Sequence, residues 1–393
     1  MPFHILLILG SLTAFGPMAI DFYLPSFSAI AAFYKTDIEH VGLTLSAYFA
    51  GLAIGQLIYG PIIDRFGRRK PLLIGIGLFT LASIACAFAP SLAWLIALRF
   101  VQSLGGCAGM VIARTIVRDK CNALQAAAAF SQLMLVTALA PMLAPLFGGW
   151  LLVVANWQAI FICLGIFGAV CALSSWRYLD ESLPYPPTPL KNIFSRYLII
   201  IKDKSFLIYA LVGGFTMGGM FAYVAGSPFV FIELYHLPAQ HYGWFFGANA
   251  LGFVIIGQIN ARIVKRTGNL VKILNIALFF YLITALTLLI LALNKPSSLW
   301  MIAIPLFLNM ACLGGILPNS SACALSNQGK KAGTASGLLG SLQFCLAACA
   351  SALVGFIHNQ DAVAMAFTIF LFGFLAICCI GYSIKTKISI NNS

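Results

Sequence analysis

Asp21 is the residue in this sequence that most demands a chemical account. It is the only acidic residue in the first apolar run, 5–30. An ionisable group inside such a run is costly and turns away from lipid, and a carboxyl placed there can take up and release a proton. Arg99, in the fourth apolar run, carries the opposite charge. Asp21 lies about 17 residues beyond His4, roughly 25 Å along a helix, and Arg99 roughly 10 Å below the outer end of its own run. These depths are comparable and allow the two to pair. The chemistry on offer is proton exchange at Asp21 next to Arg99. The alternatives are an ion pair that never titrates and, for Arg99, a charge that only holds the fold.

Around this pair the residue types suit a binding cavity better than a reaction centre. Arg99, Gln102, Gly106, Met110 and Arg114 fall on one broad helical stripe at about 100° per residue. Arg114 either faces the cavity with the others or snorkels to the cytoplasmic interface. Tyr23 and Tyr48 add hydroxyls in the first half of the chain. The second half has no charge at the matching positions and offers Tyr223, Ser227, Asn249, Asn309, Asn319 and Gln343. Each of these amides and hydroxyls can equally serve as a helix–helix hydrogen bond. No catalytic set is expected. The histidines fall near run ends (His4, His40, His236, His241, His358), and no span pairs histidines for a metal or sets serine beside histidine. Nine of the eleven cysteines sit inside apolar runs and read as small hydrophobes, leaving Cys121 and Cys323 outside. Without a phosphate-binding lysine loop, ATP is not the energy source. No cofactor is implied.

The elements that must position these residues are membrane helices. The chain has 393 residues, 61% hydrophobic and 8% charged, against about 25% charged in soluble domains. Its apolar runs are unbroken, unlike the alternating strands of an outer-membrane barrel. Twelve runs are drawn, each near the ~20 residues a crossing needs: 5–30, 41–63, 71–90, 92–117, 126–152, 157–176, 206–230, 240–262, 270–293, 298–320, 333–356 and 362–384. Pro184, Pro186, Pro187, Pro189 and a basic stretch mark 177–204 as a linker between six-helix halves at 1–176 and 205–393. Paired halves place a substrate path between them. With the N-terminus inside, all but four of the 23 Lys and Arg residues fall on the cytoplasmic side. Lys35 and Lys295 fall outside, and Arg99 and Arg114 lie within spans. The net charge of +13 therefore reports topology, with both termini cytoplasmic, and not a nucleic-acid partner. A receptor or intramembrane enzyme would need a soluble module, and no loop is long enough to be one.

Local motifs narrow the class. Gly60-Pro61-Ile-Ile-Asp64-Arg65-Phe-Gly67-Arg68-Arg69-Lys70 follows the second run, with a faint echo from Ala261 to Gly268 in which Lys265 stands in place of Asp64. Here Gly60 permits close helix approach, Asp64 meets a helix N-terminus, Gly67 makes the turn, and Arg68 or Arg69 can pair with Asp119. The segment resembles the cytoplasmic loop motif of the major facilitator superfamily. The stretch from Arg99 to Gly106, with Arg114 and Arg118-Asp119, is similar to that family's buried-arginine motif, except for Ser103 where glycine is usual. Ala140-Pro141-Met-Leu-Ala144-Pro145-Leu-Phe-Gly148-Gly149 is similar to the helix motif of its drug–proton antiporters, and Ile20-Asp21-Phe-Tyr23-Leu24-Pro25 to the Bcr/CflA drug-resistance branch.

The resemblance implies an all-α fold of twelve helices in two pseudo-symmetric halves, acting as a monomeric carrier in a bacterial inner membrane. It implies Asp21 and Arg99 in proton coupling and Gly60, Asp64, Arg65, Gly67, Arg68, Arg69 and Asp119 as a conformational latch. Pro141, Pro145, Gly148 and Gly149 would bend and thin the fifth helix so that the halves close. Its substrates would be small amphipathic compounds, antibiotics among them, exchanged for protons. A proton-linked metabolite carrier, exporting siderophores or amino-acid derivatives or working in uptake, is the alternative on the same fold.

Overall fold

Two prolines decide the shape of the first apolar run. The computed structural model describes residues 2–121, 123–183, 193–326, 328, 332–357 and 361–385. The linker prolines, Lys191, Lys330, Lys331, Lys387 and His358 lie outside these. The first run, drawn as one helix, is broken. It comprises α1 (Phe3–Thr13), α2 (Phe15–Asp21), a 3-10 turn at Leu24–Ser26 and α3 (Phe27–Tyr34), with a 41° bend at the first break. Proline has no N–H to give the carbonyl four residues earlier. Pro17 thus frees the carbonyl of Thr13, and Pro25 frees that of Asp21. Asp21 is the last residue of α2, placed where the backbone gives way.

The next five crossings are continuous: α4 (Ile38–Phe66), α5 (Arg69–Ala87), α6 (Leu92–Lys120), α7 (Ala123–Val154) and α8 (Gln158–Tyr178). Pro141 and Pro145 sit inside α7 without interrupting it. A short helix, α9 (Ile193–Ile201), occupies the segment drawn as a plain linker. Ile193, Tyr197 and Ile200 recur there at helical spacing, a signal the proline run upstream obscured. The second half follows as α10 (Lys204–Pro228), ending in a π-turn at Phe229–Leu234, then α11 (Ala239–Thr267), α12 (Leu270–Leu293), α13 (Trp300–Leu325), α14 (Ala332–Phe356) and α15 (Val363–Lys385). Among the described residues ten helices are long and apolar enough to span a bilayer, and the bent pair at 3–34 makes an eleventh. α7, at 32 residues, takes the remaining place. Apart from the first break and α9, the drawn runs lie inside the observed helices to within a few residues.

Packing follows membrane rules, in which small residues let backbones approach. Within the first half α4 and α5 lie on α6, and a Cβ added at Gly75 or Gly105 would strike the facing helix. Ser103, the departure from the family pattern, costs nothing here: it packs on Gly51 of α4, where a Cβ would overlap its hydroxyl. Between the halves there are two seams, α4 on α14 and α7 on α11. In the first, the Ser351 hydroxyl donates to the Gly42 carbonyl (3.4 Å) and Gln56 lies against Gly337 and Gly340. In the second, Gly149 faces the Ala239 carbonyl and Gly243 faces Leu146. Large apolar side chains such as Trp150, Leu173 and Phe279 point outward to lipid.

Candidate functional site

Arg99 is wholly buried, and what surrounds it is aromatic. Its guanidinium carbon lies 4.3 Å from the centre of the Tyr48 ring, 4.7 Å from Tyr23 and 5.8 Å from Phe161. Desolvated contacts of this kind are worth up to about 2 kcal/mol each, so three ring faces partly replace a counter-ion. Arg99 Nη1 donates to Gln102 Oε1 (2.5 Å), one helical turn on, and Gln102 Nε2 donates to Ser83 Oγ of α5 (2.7 Å). The Tyr23 and Thr44 hydroxyls share a hydrogen bond of 2.9 Å, which fixes the Tyr23 ring. Nε and Nη2 of Arg99 and the Tyr48 hydroxyl have no partner among the described residues.

Asp21 is also buried, at 5% exposure. The pairing with Arg99 that their depths allow is not present. Among the described residues Asp21 makes no ion pair or hydrogen bond, because Arg99 is held in its aromatic cage. The carboxyl lies instead within electrostatic range of the hydroxyls of Tyr48 and, across the interface, Tyr223 and Tyr242. Tyr48 therefore neighbours both charges.

The second half meets Asp21 with neutral polar groups. Asn249 Nδ2 donates to the Tyr223 hydroxyl (2.9 Å), and the Ser227 and Tyr242 hydroxyls are 2.7 Å apart. Phe246 stacks on Tyr223, while Phe49 of α4 meets Phe221 of α10 at 4.1 Å between ring centres. Tyr242 is absent from the sequence-based candidates, though it lies seven residues before Asn249 on the same face of α11. Other candidates are not drawn in. Asn309 donates to the Tyr281 carbonyl (2.9 Å) and to Thr284 Oγ1 (3.0 Å), tying α13 to α12. Gln343 lies beside Gly213, about ten residues along α10 from Tyr223. Arg114 is exposed and about 22 Å along α6 from Arg99. The stripe between them faces protein: Gly106 meets Tyr48 and Met110 meets Gly16.

The cytoplasmic motif forms a charge network. Arg68, nearly buried, reaches Asp119 on α6 (2.9 Å), Asp64 (3.2 Å) and the Ile63 carbonyl. The pairing proposed for Arg68 or Arg69 belongs to Arg68, while Arg69 Nη2 donates to the Trp176 carbonyl at the end of α8 (2.6 Å). The acid on the N-terminus of α5 is Glu181, which accepts from the backbone N–H groups of Arg68 (2.8 Å) and Arg69 (3.1 Å). Burial pushes the Glu181 carboxyl up, but four backbone N–H donors outweigh it and hold the group below the ordinary glutamate range. Gly67 is required twice: its φ is +84°, and a Cβ would overlap the Glu181 carboxylate. Gly60 serves no close approach, since no atom lies within 4 Å of where its Cβ would be. Arg65 points away, with its guanidinium over the Phe66 ring. Higher in the membrane, Gly148 admits the Phe22 carbonyl beside the broken first helix, and Gly149 admits the start of α11.

A bundle of membrane helices in two halves, with a buried carboxyl where they meet, has the architecture of a transporter. The chain matches the Major Facilitator Superfamily profile over residues 7–352, and it belongs to that family. It is 40% identical over 374 residues to an uncharacterized MFS-type transporter, YdgK, of Bacillus subtilis (93% of this chain, 91% of that one). It is 32% identical over 369 residues to a bicyclomycin resistance protein homolog of Haemophilus influenzae (93% and 92%). In fold it is similar to a D-xylose–proton symporter, with a TM-score of 0.75 at 11% identity over 95% of each chain.

Proposed function

We propose that the protein exports small amphipathic compounds in exchange for protons across a bacterial inner membrane, as a monomer with both termini in the cytoplasm. The observation that carries this reading is Asp21: a buried carboxyl at a proline-made break in its helix, with no hydrogen-bond or ion-pair partner among the described residues and the other half's tyrosines opposite. Such a group is stable at the interface when neutral and calls for a partner when charged. In the outward-facing carrier Asp21 takes up a proton and releases substrate. The neutral carrier rocks inward, with 1–176 moving against 205–393, loses the proton and rebinds. Arg99 remains in its cage and keeps a fixed positive potential beside Tyr48, which favours return of the carboxylate form. The drive is about 2.3 kcal/mol per charge per 100 mV, plus the pH term. The names of two relatives support export of drugs: the bicyclomycin resistance homolog, and the multidrug transporter MdfA of Yersinia pestis, 28% identical over 266 residues (66% of this chain, 64% of that one).

Inside-out vesicles test both direction and coupling. Acidifying the lumen should drive accumulation of bicyclomycin or a lipophilic cationic dye, a protonophore should abolish it, and Asp21→Asn should eliminate the proton-driven component in a protein that still folds. Normal uphill export by Asp21→Asn would remove Asp21 from the coupling step. Accumulation driven by an acidic exterior would make the protein an uptake symporter.

A further inference from the structure

We infer that Tyr197 of the linker helix is a positioning residue for transport: its hydroxyl supplies the hydrogen-bond donor that Pro61 deletes from α4, strapping a joint in the first half to the second. Pro61 has no N–H, so the Leu57 carbonyl four residues earlier loses its helical partner. In the low-dielectric bundle such a carbonyl requires another donor. The Tyr197 hydroxyl donates to Leu57 O at 3.1 Å from a residue 140 positions away.

Three further observations make this a strap and not a chance contact. First, the neighbouring Gly60 touches nothing at its Cβ position, so Gly60-Pro61 combines the two residues that most weaken a helix at a point with room to bend. Second, α9 packs on α10 and α14, with Ile200 buried, so Tyr197 is carried by elements of the second half. Third, the joint lies between the α4–α14 seam at Gln56 and the Asp64–Arg68–Asp119 network. Bending α4 at 60–61 shifts one relative to the other, and the strap resists that bend only while α9 stays in place. The counterpart segment in α11, Ala261-Arg262, has neither residue and needs no strap. This role is independent of the coupling ion and of the direction of transport.

A double-mutant cycle tests it with the full-length protein in lipid nanodiscs. Tyr197→Phe removes only the hydroxyl, and Pro61→Ala restores the missing N–H. Hydrogen exchange of the segment 53–66 should accelerate on the order of fivefold in Tyr197→Phe, the value of one net hydrogen bond, and by less than twofold when Pro61→Ala is also present. In proteoliposomes Tyr197→Phe should change turnover while leaving KM within twofold, since Tyr197 lies far from Asp21. Equal acceleration with and without Pro61→Ala would reduce Tyr197 to a packing residue, and unchanged exchange in Tyr197→Phe would overturn the strap altogether. Loss of proton coupling at Asp21 would leave each of these outcomes readable.

Discussion

The loop after α4 and its counterpart after α11 share a terminal glycine of positive φ and almost nothing else. Each helix ends at a glycine of positive φ, +84° at Gly67 and +65° at Gly268, but ψ is 178° at the first and −1° at the second, so the chain leaves the two helices by different turns. The first loop then binds its surroundings through Arg68, Asp119 and Glu181, contributed by three different helices or their ends. The second caps its next helix locally, with Asn269 Oδ1 accepting from the Lys272 N–H (3.0 Å). The same division holds at mid-membrane, where the first half buries Asp21 and Arg99 and the second offers only the neutral Tyr223, Asn249, Ser227 and Tyr242. Repetition has kept the scaffold and placed the titratable chemistry in one half, so the second half acts as a neutral surface against which the first changes charge.

Removing one member of the buried pair should expose this asymmetry most sharply. Arg68→Ala leaves Asp119 as an uncompensated, nearly buried carboxylate, and breaking such a pair costs about 3–5 kcal/mol. Lys265→Ala, in the echoing loop, should stay within about 0.5 kcal/mol, as an exposed substitution does. Thermal unfolding of the two purified variants checks the contrast, and similar losses would mean that both loops carry structural charge.

A smaller effect should separate the seams. Gly149→Val drives a branched side chain into the Ala239 carbonyl, where even a Cβ would sit at 2.8 Å. Overpacking of this kind costs about 1–3 kcal/mol, borne only in conformations where α7 meets α11. Transport should fall roughly tenfold while folding yield stays near normal. Retained transport would show that α7 and α11 need not come this close during the cycle.

The helical fold, the burial of Asp21 and Arg99 and the pairing of Arg68 with Asp119 were legible because apolar length and misplaced charge are one-dimensional signals. The relation of Asp21 to Arg99 was not. Depth along two helices allows an Asp21–Arg99 pair, but the rings of Tyr23, Tyr48 and Phe161 come from three other segments, and sequence distance says nothing about which claims the guanidinium. Asn309 shows the same limit: an amide in a span looks alike whether it faces a cavity or the carbonyl of a neighbouring helix. Glu181 was hidden because it follows its helix among solvent-side residues, 112 positions from the Arg69 N–H it receives. The break at Asp21 was open to reading, since Pro17 and Pro25 each delete a donor at a known offset.

Glu181 gives the third prediction, with a definite sign in pH. Its carboxyl is held below the ordinary glutamate value in the folded chain, so it stabilises the fold above that value (~4.3). The contribution is lost as pH falls through the folded-state value. Glu181→Gln should destabilise by about 1 kcal/mol near neutrality, the usual worth of a cap. Unfolding followed from pH 7 to pH 3 should show the difference from wild type shrinking toward zero, and a constant difference would reassign the effect to packing.

The smallest effect belongs to Asn269, and it bears most directly on the comparison. Its side chain caps α12 from within its own loop, so Asn269→Ala should cost about 1 kcal/mol or less, with no dependence on pH. A local cap stays with its helix in every conformation and cannot favour one state of the carrier over another. A ligand or contact shifts an equilibrium only by its difference between the two states, and the same holds for a cap. Glu181 reaches from the end of α8 to the start of α5 and holds the loop that bears Arg68, so its loss alters how that loop moves. Turnover in proteoliposomes should therefore be unchanged in Asn269→Ala and altered in Glu181→Gln, even though their losses of stability are similar. Equal changes in turnover would mean that the second loop takes part in switching, and that the division of labour between the halves is less complete than their side chains indicate.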